Sequence, residues 1–165
     1  SIYYNIIKEV KEYDVKVFLD AEGDLLLKGI KAEPDLIKSN IYELKSTFAH
    51  DISTKKDIIR VARSIIDKGV NIVCVSLGKD GAIMIDSNES YYAPGLSLPV
   101  KGATGAGDSV VAGICLAIKK GLSLRQMLKS GMAAAAGTII REGTKLCKKE
   151  DYKKMYNRVT VKEVN

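Results

Sequence analysis

The fold is indicated most directly by one apolar heptapeptide, Asn71-Ile72-Val73-Cys74-Val75-Ser76-Leu77. A short, continuous run that is rich in β-branched residues is typical of a central parallel strand, which is buried on both faces. The segment before it predicts a helix, because apolar residues recur with helical spacing from Ile58 to Ile66 between a Thr54 cap and a Gly69 stop. A helix followed by a buried strand is the repeating unit of an α/β domain.

The same alternation extends in both directions from this strand. The remaining elements are expected in this order: a helix over 5–13, a strand over 15–19 ending at Asp20, a helix capped by Asp24, a strand over 36–38, a helix from Asn40, a strand over 82–86, an edge strand over 91–93, and helices over 110–118, from Ser123 and from Glu150. No repeat or low-complexity linker interrupts this order, which predicts an α/β domain around a largely parallel sheet.

Two of these elements carry more specific expectations. The strand over 82–86 follows a glycine turn, Gly78 to Gly81, and is expected to be the antiparallel partner of the heptapeptide. The helix over 110–118 has no polar side chain, so we expect it to be buried on all sides, with Gly121 at its C′ position. The helix from Ser123 becomes nearly all small residues over 131–137, which predicts very close packing there.

A glycine-rich loop before the helix over 110–118 has the features of an anion site. Small residues leave the backbone of Lys101 to Gly107 open, and the helix that begins there presents free amide N–H groups. Gly102 and Gly107 have Walker A spacing, but Asp108 stands where the lysine belongs. The dinucleotide fingerprint fails because Val110 replaces its third glycine. A carboxylate beside such a loop suits a base that deprotonates a hydroxyl next to a transferring phosphoryl group.

Other candidate positions follow strands, where α/β sheets bind their ligands. They are Asp20, Asn40 and Gly78. Asn40 and Glu43 share a helix face, but the same spacing describes an N-cap with its capping-box glutamate, and the two roles can coexist. Asp20 has the simpler alternative of capping a strand end. For Asp108 the alternative is a carboxylate that favours the helix macrodipole.

The composition indicates which partners and which kinds of site the protein is expected to have. The chain has 165 residues, and its net charge of +6 comes mostly from scattered lysines, which suits a solvated basic surface or anionic small molecules. Neither a nucleic-acid groove nor an apolar run that could span a bilayer is visible, so neither partner is expected. Three distant cysteines predict a reduced, cytoplasmic protein, and one histidine, His50, gives a His-rich metal site little support.

Three loops together resemble signatures of the PfkB/ribokinase family of carbohydrate kinases. They are Lys38-Ser39-Asn40-Ile41-Tyr42-Glu43, similar to K-P-N-x-x-E with Ser39 replacing the usual proline, then Ser76-Leu77-Gly78-Lys79-Asp80-Gly81, then Gly105-Ala106-Gly107-Asp108-Ser109. Two further segments are similar to L-D-T-S-G and K-S-T-V of the phosphosugar kinases in this family: Leu19-Asp20-Ala21-Glu22-Gly23 and Lys101-Gly102-Ala103-Thr104. Within the family the likeness is to kinases of fructose 1-phosphate and, next, of tagatose 6-phosphate.

The resemblance implies a ribokinase-like three-layer α/β/α fold, a largely parallel sheet with helices on both faces and an antiparallel edge hairpin. It implies ATP-dependent phosphorylation of a sugar phosphate, fructose 1-phosphate to fructose 1,6-bisphosphate, with Asp108 as general base. Gly105, Ala106 and Gly107 would form the backbone anion hole. Mg²⁺ would be bound by Asn40 and, through water, by Glu43. The implied nucleotide-binding residues are Asn40, Ser76, Leu77, Gly78, Lys79, Asp80, Gly81, Thr104, Gly107 and Asp108, with residues 131–137 behind the adenine.

The resemblance also exposes an absence. Family members are longer, and their first half carries a sugar-binding glycine motif and a β-sheet lid that are not visible here. Residues 1–165 are therefore expected to be the nucleotide-binding, catalytic C-terminal part of a ribokinase-like domain. The expected partners are ATP and a phosphorylated sugar, with a homodimer in the full-length protein. Alternatives are an ATP-binding fragment without turnover and a basic domain for polyanions such as RNA.

Overall fold

The computed structural model describes residues 1–48 and 51–165, so His50 lies outside the described residues. The helices and strands are α1 (Ile2–Val10), β1 (Phe18–Asp20), α2 (Gly23–Ile30), β2 (Leu36–Asn40), α3 (Ile41–Phe48), α4 (Lys55–Ile66), β3 (Ile72–Ser76), β4 (Ala82–Ile85), β5 (Ser90–Ala93), α5 (Ala106–Lys119), α6 (Leu124–Ile139), α7 (Lys149–Arg158) and β6 (Lys162–Glu163). The six strands belong to one mixed sheet.

The chain divides into two units, which are described separately below. The first unit comprises residues 1–76, 84–90 and 165, and the second comprises residues 77–83 and 91–164. Among the described helices, none is long and apolar enough to cross a membrane.

The first unit is built on three parallel strands. β1 pairs with β2, with Asp20 opposite Lys38, and β2 pairs with β3, with Asn40 opposite Ser76. The middle of the apolar heptapeptide is completely buried from Val73 to Val75, as expected of a central parallel strand. The carboxyl ends of β1, β2 and β3 therefore bring Asp20, Asn40 and Ser76 to the same edge of the sheet, which confirms the predicted placement of Asp20 and Asn40.

The thiol of Cys74 is buried within β3, which changes its pKa. The side chain is completely inaccessible, and burial raises the pKa of Cys74 to about 12. All three cysteines are free thiols. Cys74 is thus a small apolar core residue, as its position in the apolar run predicts.

α4 begins at the predicted Thr54 cap. The Thr54 hydroxyl accepts a hydrogen bond from the Asp57 amide, and the Asp57 carboxylate accepts one from the Thr54 amide at 2.9 Å. This reciprocal capping box satisfies two backbone N–H groups that the first turn cannot pair within the helix. The predicted apolar stripe is buried from Ile58 to Ile65 and packs on the sheet side of the helix.

The Asp57 carboxylate makes this cap sensitive to pH. Its hydrogen bond from the Thr54 hydroxyl, supported by the Thr54 and Ser53 amides, lowers the pKa of Asp57 to about 2. A folded-state pKa below the ordinary value contributes stability above about pH 4, and that contribution is lost as the pH falls through about 2. We expect Thr54→Val to move the pKa of Asp57 back towards 4 in an NMR titration, while the pKa of Asp151, which Arg141 lowers, stays unchanged as the control. An unchanged pKa for Asp57 in this variant would contradict the cap.

Two predictions in the first unit are wrong in detail. The first helix begins at Ile2, earlier than predicted, and of the apolar residues placed on its face only Ile7 is buried. Glu22, not Asp24, occupies the N-cap of α2, and Asp24 lies within the first turn, where a carboxylate favours the macrodipole. Shifts of two or three residues follow from local backbone geometry that the apolar pattern does not encode.

The second unit centres on the close packing of α5 and α6. A Cβ atom on Gly113 would lie 2.5 Å from the Ser130 carbonyl oxygen, so only glycine allows this approach of the two backbones. Ser123 and Gln126 form the predicted cap of α6, and Gly121 adopts a positive φ of 64° after α5. A Cβ atom on Gly131 would lie 3.0 Å from the Val110 carbonyl oxygen, which confirms the close packing predicted for the small-residue segment over 131–137.

The expectation that the helix over 110–118 is buried on all sides is wrong. Val110, Ile114 and Ala117 are buried, but Ala112 is exposed and Leu116 is 39% exposed. One side of α5 packs against α6, and the other side has no cover among the described residues of this unit. β5 also differs from its prediction as an edge strand, because β6 pairs with it in antiparallel orientation, with Tyr91 opposite Glu163.

Candidate functional site

The first group of predicted site residues lies where β2 ends and α3 begins. The Asn40 side-chain oxygen accepts hydrogen bonds from the amides of Tyr42 and Glu43, both at 2.9 Å. Glu43 returns a bond, because its Oε2 accepts the Asn40 amide at 2.7 Å and also the Ser39 hydroxyl at 3.3 Å. The structure therefore contains the capping box that the spacing allows, and Ser39, in place of the usual proline, adds one more donor to it.

The cap leaves one polar group free on each side chain. Oε1 of Glu43 and the NH₂ group of Asn40 have no hydrogen-bond partner among residues 1–48 and 51–165, and both side chains are half-buried. A fixed carboxylate with one free oxygen can accept a hydrogen bond from metal-bound water, and a free NH₂ group can donate to a phosphate oxygen. Within the described residues, no three His, Cys, Asp or Glu side chains cluster as a complete metal site.

An ion pair next to this cap has no assigned role in the sequence prediction. The Lys38 side chain is only 9% exposed, and its ammonium donates to the two Asp20 carboxylate oxygens at 3.0 and 3.3 Å. A lysine within a buried strand requires an acidic partner, and the parallel register places Asp20 directly opposite. The signal in the sequence was a lysine inside an otherwise apolar strand, together with an aspartate ending the neighbouring strand.

We expect Asp20→Asn to lower the free energy of unfolding by about 1–2 kcal/mol, because a nearly buried ammonium loses its charged partner. The half-exposed position of Asp20 keeps the effect below that of a fully buried pair. Asp24→Asn is the matched control, since Asp24 is exposed and its Lys28 contact is 3.8 Å long. Urea unfolding followed by circular dichroism measures both variants. Equal effects in the two variants would show that the Lys38 pair contributes nothing specific.

In the second unit, the loop from Leu77 to Gly81 is a tight turn. The Leu77 amide donates to the Gly81 carbonyl at 2.8 Å, and residues 78–80 form a single 3-10 turn between them. Gly78 and Gly81 have φ values of 62° and 105°, so both positions require glycine. The Tyr92 hydroxyl donates to the Asp80 carbonyl at 2.8 Å and holds the turn against β5.

The predicted anion loop is attached to the end of α6. The amides of Lys101 and Gly102 both donate to the Ile139 carbonyl, at 2.8 and 3.3 Å. A Cβ atom on Gly102 would lie 2.7 Å from the Gly143 carbonyl oxygen, so the glycine permits this approach of the two backbones. The Lys101 side chain is exposed, and its Nζ lies 3.5 Å from Oε1 of Glu142.

The start of α5 combines free donors with a free carboxylate. Gly105 is the N-cap with a φ of 79°, the Ala106 amide donates to Ala103, and the first helical bond runs from the Ser109 amide to Gly105. Between them, the amides of Gly107 and Asp108 have no acceptor among the described residues. The Asp108 carboxylate is exposed and also has no partner there. Two amides at a helix N-terminus can bind an anion, while the adjacent carboxylate can accept a proton.

A buried hydroxyl network behind this helix start was missed. The Ser109 hydroxyl donates to the Gly105 carbonyl at 2.8 Å and lies 2.7 Å from the Thr138 hydroxyl, which in turn accepts the Cys147 amide at 3.0 Å. Thr138 is 1% exposed, so this network ties the glycine turn to α6 and to the segment after it. A hydroxyl residue at the end of the small-residue segment was the available signal.

The segment after α6 is anchored in turn by α7. Arg141 donates through Nε to the Asp151 carboxylate at 2.8 Å, and this hydrogen bond lowers the pKa of Asp151. Gly105 lies under Leu146, whose nearest methyl carbon would be 2.9 Å from a Cβ atom there. The anion loop is thus supported from Ile139 to Asp151 by backbone and charged contacts.

In the second unit, the start of α5 combines a glycine turn, free amides and a carboxylate, which suits phosphoryl transfer without a P-loop lysine. The first unit separately contains the capped Asn-x-x-Glu turn. The family model described as "pfkB family carbohydrate kinase" matches residues 3–151. The chain therefore belongs to the pfkB carbohydrate kinase family.

The curated relatives include phosphofructokinases of two types. The chain is 35% identical over 162 residues to 1-phosphofructokinase of Borreliella burgdorferi, a match that covers 98% of the chain and 52% of the relative. It is 28% identical over 153 residues to ATP-dependent 6-phosphofructokinase isozyme 2 of Escherichia coli, covering 92% and 50%. The chain thus spans about half the length of the curated relatives it matches.

Solved structures confirm the fold class. Phosphofructokinase-2 from Escherichia coli, in complex with substrates and products, matches 94% of the chain and 51% of its own length with a TM-score of 0.88 and 27% identity. A ribokinase from Thermotoga maritima matches 92% and 52% with a TM-score of 0.78 at 21% identity, which bears on the fold alone. The ribokinase-like α/β fold is therefore established, and the chain spans about half the length of these proteins.

Proposed function

We propose that residues 1–165 form the nucleotide-binding and catalytic half of an ATP-dependent sugar-phosphate kinase. The observation that carries the proposal is the start of α5, where two unpaired amides and an unpaired carboxylate occur together in a chain of the pfkB family. The amides of Gly107 and Asp108 are free to donate to phosphoryl oxygens. Of the expected anion hole, Ala106 is not carried forward as a donor, because its amide donates to Ala103, so it shapes the turn together with Gly105. Asp108 accepts the proton of the sugar hydroxyl as it attacks phosphorus.

The hydrogen bonds around Asn40 and Glu43 support a role for each of these side chains. In the first unit, the free Asn40 NH₂ group donates to phosphate, and Glu43 holds Mg²⁺ through water on its free Oε1. The expected binding of Mg²⁺ by Asn40 is not carried forward, because its side-chain oxygen already accepts the amides of Tyr42 and Glu43. Mg²⁺ supplies charge neutralisation of the phosphates when it is bound. The remaining nucleotide-binding residues are Ser76, Leu77, Gly78, Lys79, Asp80, Gly81 and Thr104.

The substrate we propose is fructose 1-phosphate, which would be converted to fructose 1,6-bisphosphate. The 35% identity to a relative named 1-phosphofructokinase supports this choice. Fructose 6-phosphate is the second choice, because the Escherichia coli relative is named 6-phosphofructokinase. Tagatose 6-phosphate, favoured next by the sequence motifs, is the third.

A nucleotide-binding half without turnover is the second candidate function. The observation that favours it is length, since the match covers only 52% of the first relative. In this case the chain binds ATP but transfers no phosphate to any sugar when tested alone.

Binding and transfer are measured separately to distinguish the two. Calorimetric titration of the chain with ATP and Mg²⁺ is expected to show saturable binding that Asn40→Ala weakens, with Asn71→Ala, an exposed asparagine, as the control. Transfer from ATP to the three sugar phosphates is then assayed with the chain alone and with an added N-terminal half of the Borreliella burgdorferi relative. Absence of ATP binding would refute the kinase proposal. Binding without transfer under either condition would favour the second candidate.

A further inference from the structure

The charge of the chain is distributed unequally between its two units. The second unit contains fourteen lysines and arginines against six aspartates and glutamates, whereas the first contains twelve against fourteen. The net charge of +6 therefore comes from the second unit. A local excess of cations raises the concentration of anions near the surface that carries it.

Part of this excess lines a cleft beside the first turns of α6. The cleft has a volume of about 780 Å³, and the segment between α7 and β6 forms its other wall. Its polar lining includes Arg125, Lys129, Tyr156 and Asn157. No carboxylate is among the described residues that line it.

A second, smaller depression continues this cleft. Its volume is about 460 Å³, it shares Tyr156 and Asn157 with the first, and it adds Lys120 and Lys153. It also has no carboxylate among its described lining residues. We call the two depressions together the α6–α7 cleft. Two cations thus lie on each side of Tyr156.

The cations on α6 have no acidic partner in the described part of the chain. Lys129 is half-buried, and its Nζ lies 4.8 Å from the centroid of the Tyr156 ring. Arg125 donates through Nη2 to the Val161 carbonyl at 3.0 Å, which holds the guanidinium at the cleft and leaves its other N–H groups free. Lys38 of the first unit shows the usual arrangement, since its buried ammonium is paired with a carboxylate.

This arrangement disfavours the unoccupied cleft. Arg125 and Lys129 are four residues apart on one helix face, where two like charges destabilise a helix. An anion between them would remove that repulsion. The wall beside them is rigid, because the Tyr152 and Tyr156 rings lie 5.7 Å apart and the Tyr152 hydroxyl lies 2.8 Å from that of Ser130. An aromatic wall between two pairs of cations fits a ligand that carries two phosphate groups on an organic body.

The α6–α7 cleft is separate from the anion loop before α5. That loop is attached to the Ile139 carbonyl at the C-terminal end of α6, whereas Lys129 lies ten residues earlier. At the rise of an α-helix, ten residues span about 15 Å. An anion in the cleft therefore cannot contact the amides of Gly107 and Asp108 at the same time.

We propose that the α6–α7 cleft is a second anion site, which binds a small molecule with two phosphate groups. Arg125 and Lys129 bind one phosphate, Lys120 and Lys153 bind the other, and Tyr156 contacts the part that joins them. A nucleoside diphosphate and a sugar bisphosphate share this chemistry. The inference does not rest on the catalytic role of Asp108, so a failed phosphoryl-transfer assay leaves it standing.

The test titrates the chain with inorganic pyrophosphate in the absence of divalent cations, by calorimetry and by ¹H–¹⁵N NMR at fixed ionic strength. We expect saturable binding with shifts of the Tyr156 and Asn157 amides. Lys129→Gln and Lys153→Gln are each expected to weaken this binding at least tenfold, because each removes one charge that contacts a phosphate. Lys154→Gln is the matched control, since it removes the same charge from an exposed position on α7 outside the lining of the cleft.

ADP and fructose 1,6-bisphosphate are then added as competitors, with the Tyr156 and Asn157 shifts as the readout. Displacement by either supports the proposal and identifies the carrier of the two phosphates as a nucleotide or a sugar. Displacement by neither would overturn it, because the cleft would then accept only a free anion. Shifts confined to Gly107 and Asp108 would also overturn it, as would equal weakening by Lys129→Gln and Lys154→Gln. Circular dichroism checks that all three variants fold.

Discussion

Replacing Asp108 with asparagine is expected to lower kcat for phosphoryl transfer about 10²- to 10⁴-fold, the range in which general bases contribute. Asparagine keeps the shape of the side chain and its place in the first turn of α5, but it cannot accept the proton of the attacking hydroxyl. The affinity for ATP should be unchanged or slightly higher, because the substitution removes a negative charge near the proposed phosphate site. The kcat is measured in the transfer assay supplemented with the N-terminal half.

Glu150→Gln provides the matched control for this prediction. Glu150 is an exposed carboxylate in the first turn of α7, so its removal has a similar effect on a helix N-terminus. We expect kcat to stay within twofold of the parent value in this variant. A kcat for Asp108→Asn within about fivefold of the parent would exclude Asp108 as the base, because loss of a macrodipole contact alone accounts for so small a change.

Gly81→Ala is expected to lower the free energy of unfolding by about 3–5 kcal/mol, the largest stability effect that we predict. Two causes add. The backbone at φ 105° and ψ −140° is one that L side chains rarely adopt. The new Cβ atom would also meet the Ala93 carbonyl oxygen and lie 2.7 Å from the Gly95 nitrogen. These obstacles are backbone atoms, which cannot rotate away as a flexible side chain can.

Gly78→Ala separates these two causes, because it lies in the same turn. Its φ of 62° is also unfavourable for alanine, but a Cβ atom there would meet no atom within 4 Å. We expect a loss of about 1–2 kcal/mol, the cost of the left-handed backbone alone. Urea unfolding of both variants measures the difference. Equal losses would show that the contact with Ala93 and Gly95 relaxes freely.

Much of the fold was predictable, because an apolar pattern that extends over many residues is little affected by the backbone geometry at any one of them. The heptapeptide around Cys74, the stripe from Ile58 to Ile65 and the caps at Thr54 and Ser123 were all placed correctly. Buried strands and amphipathic helices leave a repeating signal over many residues, and caps leave one over four. The family was also recognisable, since its motifs are continuous stretches such as Gly105 to Ser109.

The sequence named candidate site residues but could not give their hydrogen bonds. The sequence placed Asn40 and Glu43 at a helix start, yet left open whether they cap that helix or bind a ligand. The structure shows that they cap it and that each keeps one polar group free. The ion pair of Lys38 with Asp20 and the network through Thr138 join residues distant in sequence, so the sequence signals a polar residue in each place but not its partner.

The amino-acid sequence alone was enough to establish the class of fold, the order of the central strand and its helices, and the glycine turn that ends at Asp108. These features depend on contacts within a few residues and on apolar periodicity, and both can be read directly from the sequence. Which apolar faces are buried could be read only from the three-dimensional structure. Leu116 and Ile6 have the same apolar character as Ile114 and Ile7, but they are exposed. Burial depends on whether a neighbour is present in space, and only the packed structure contains that information.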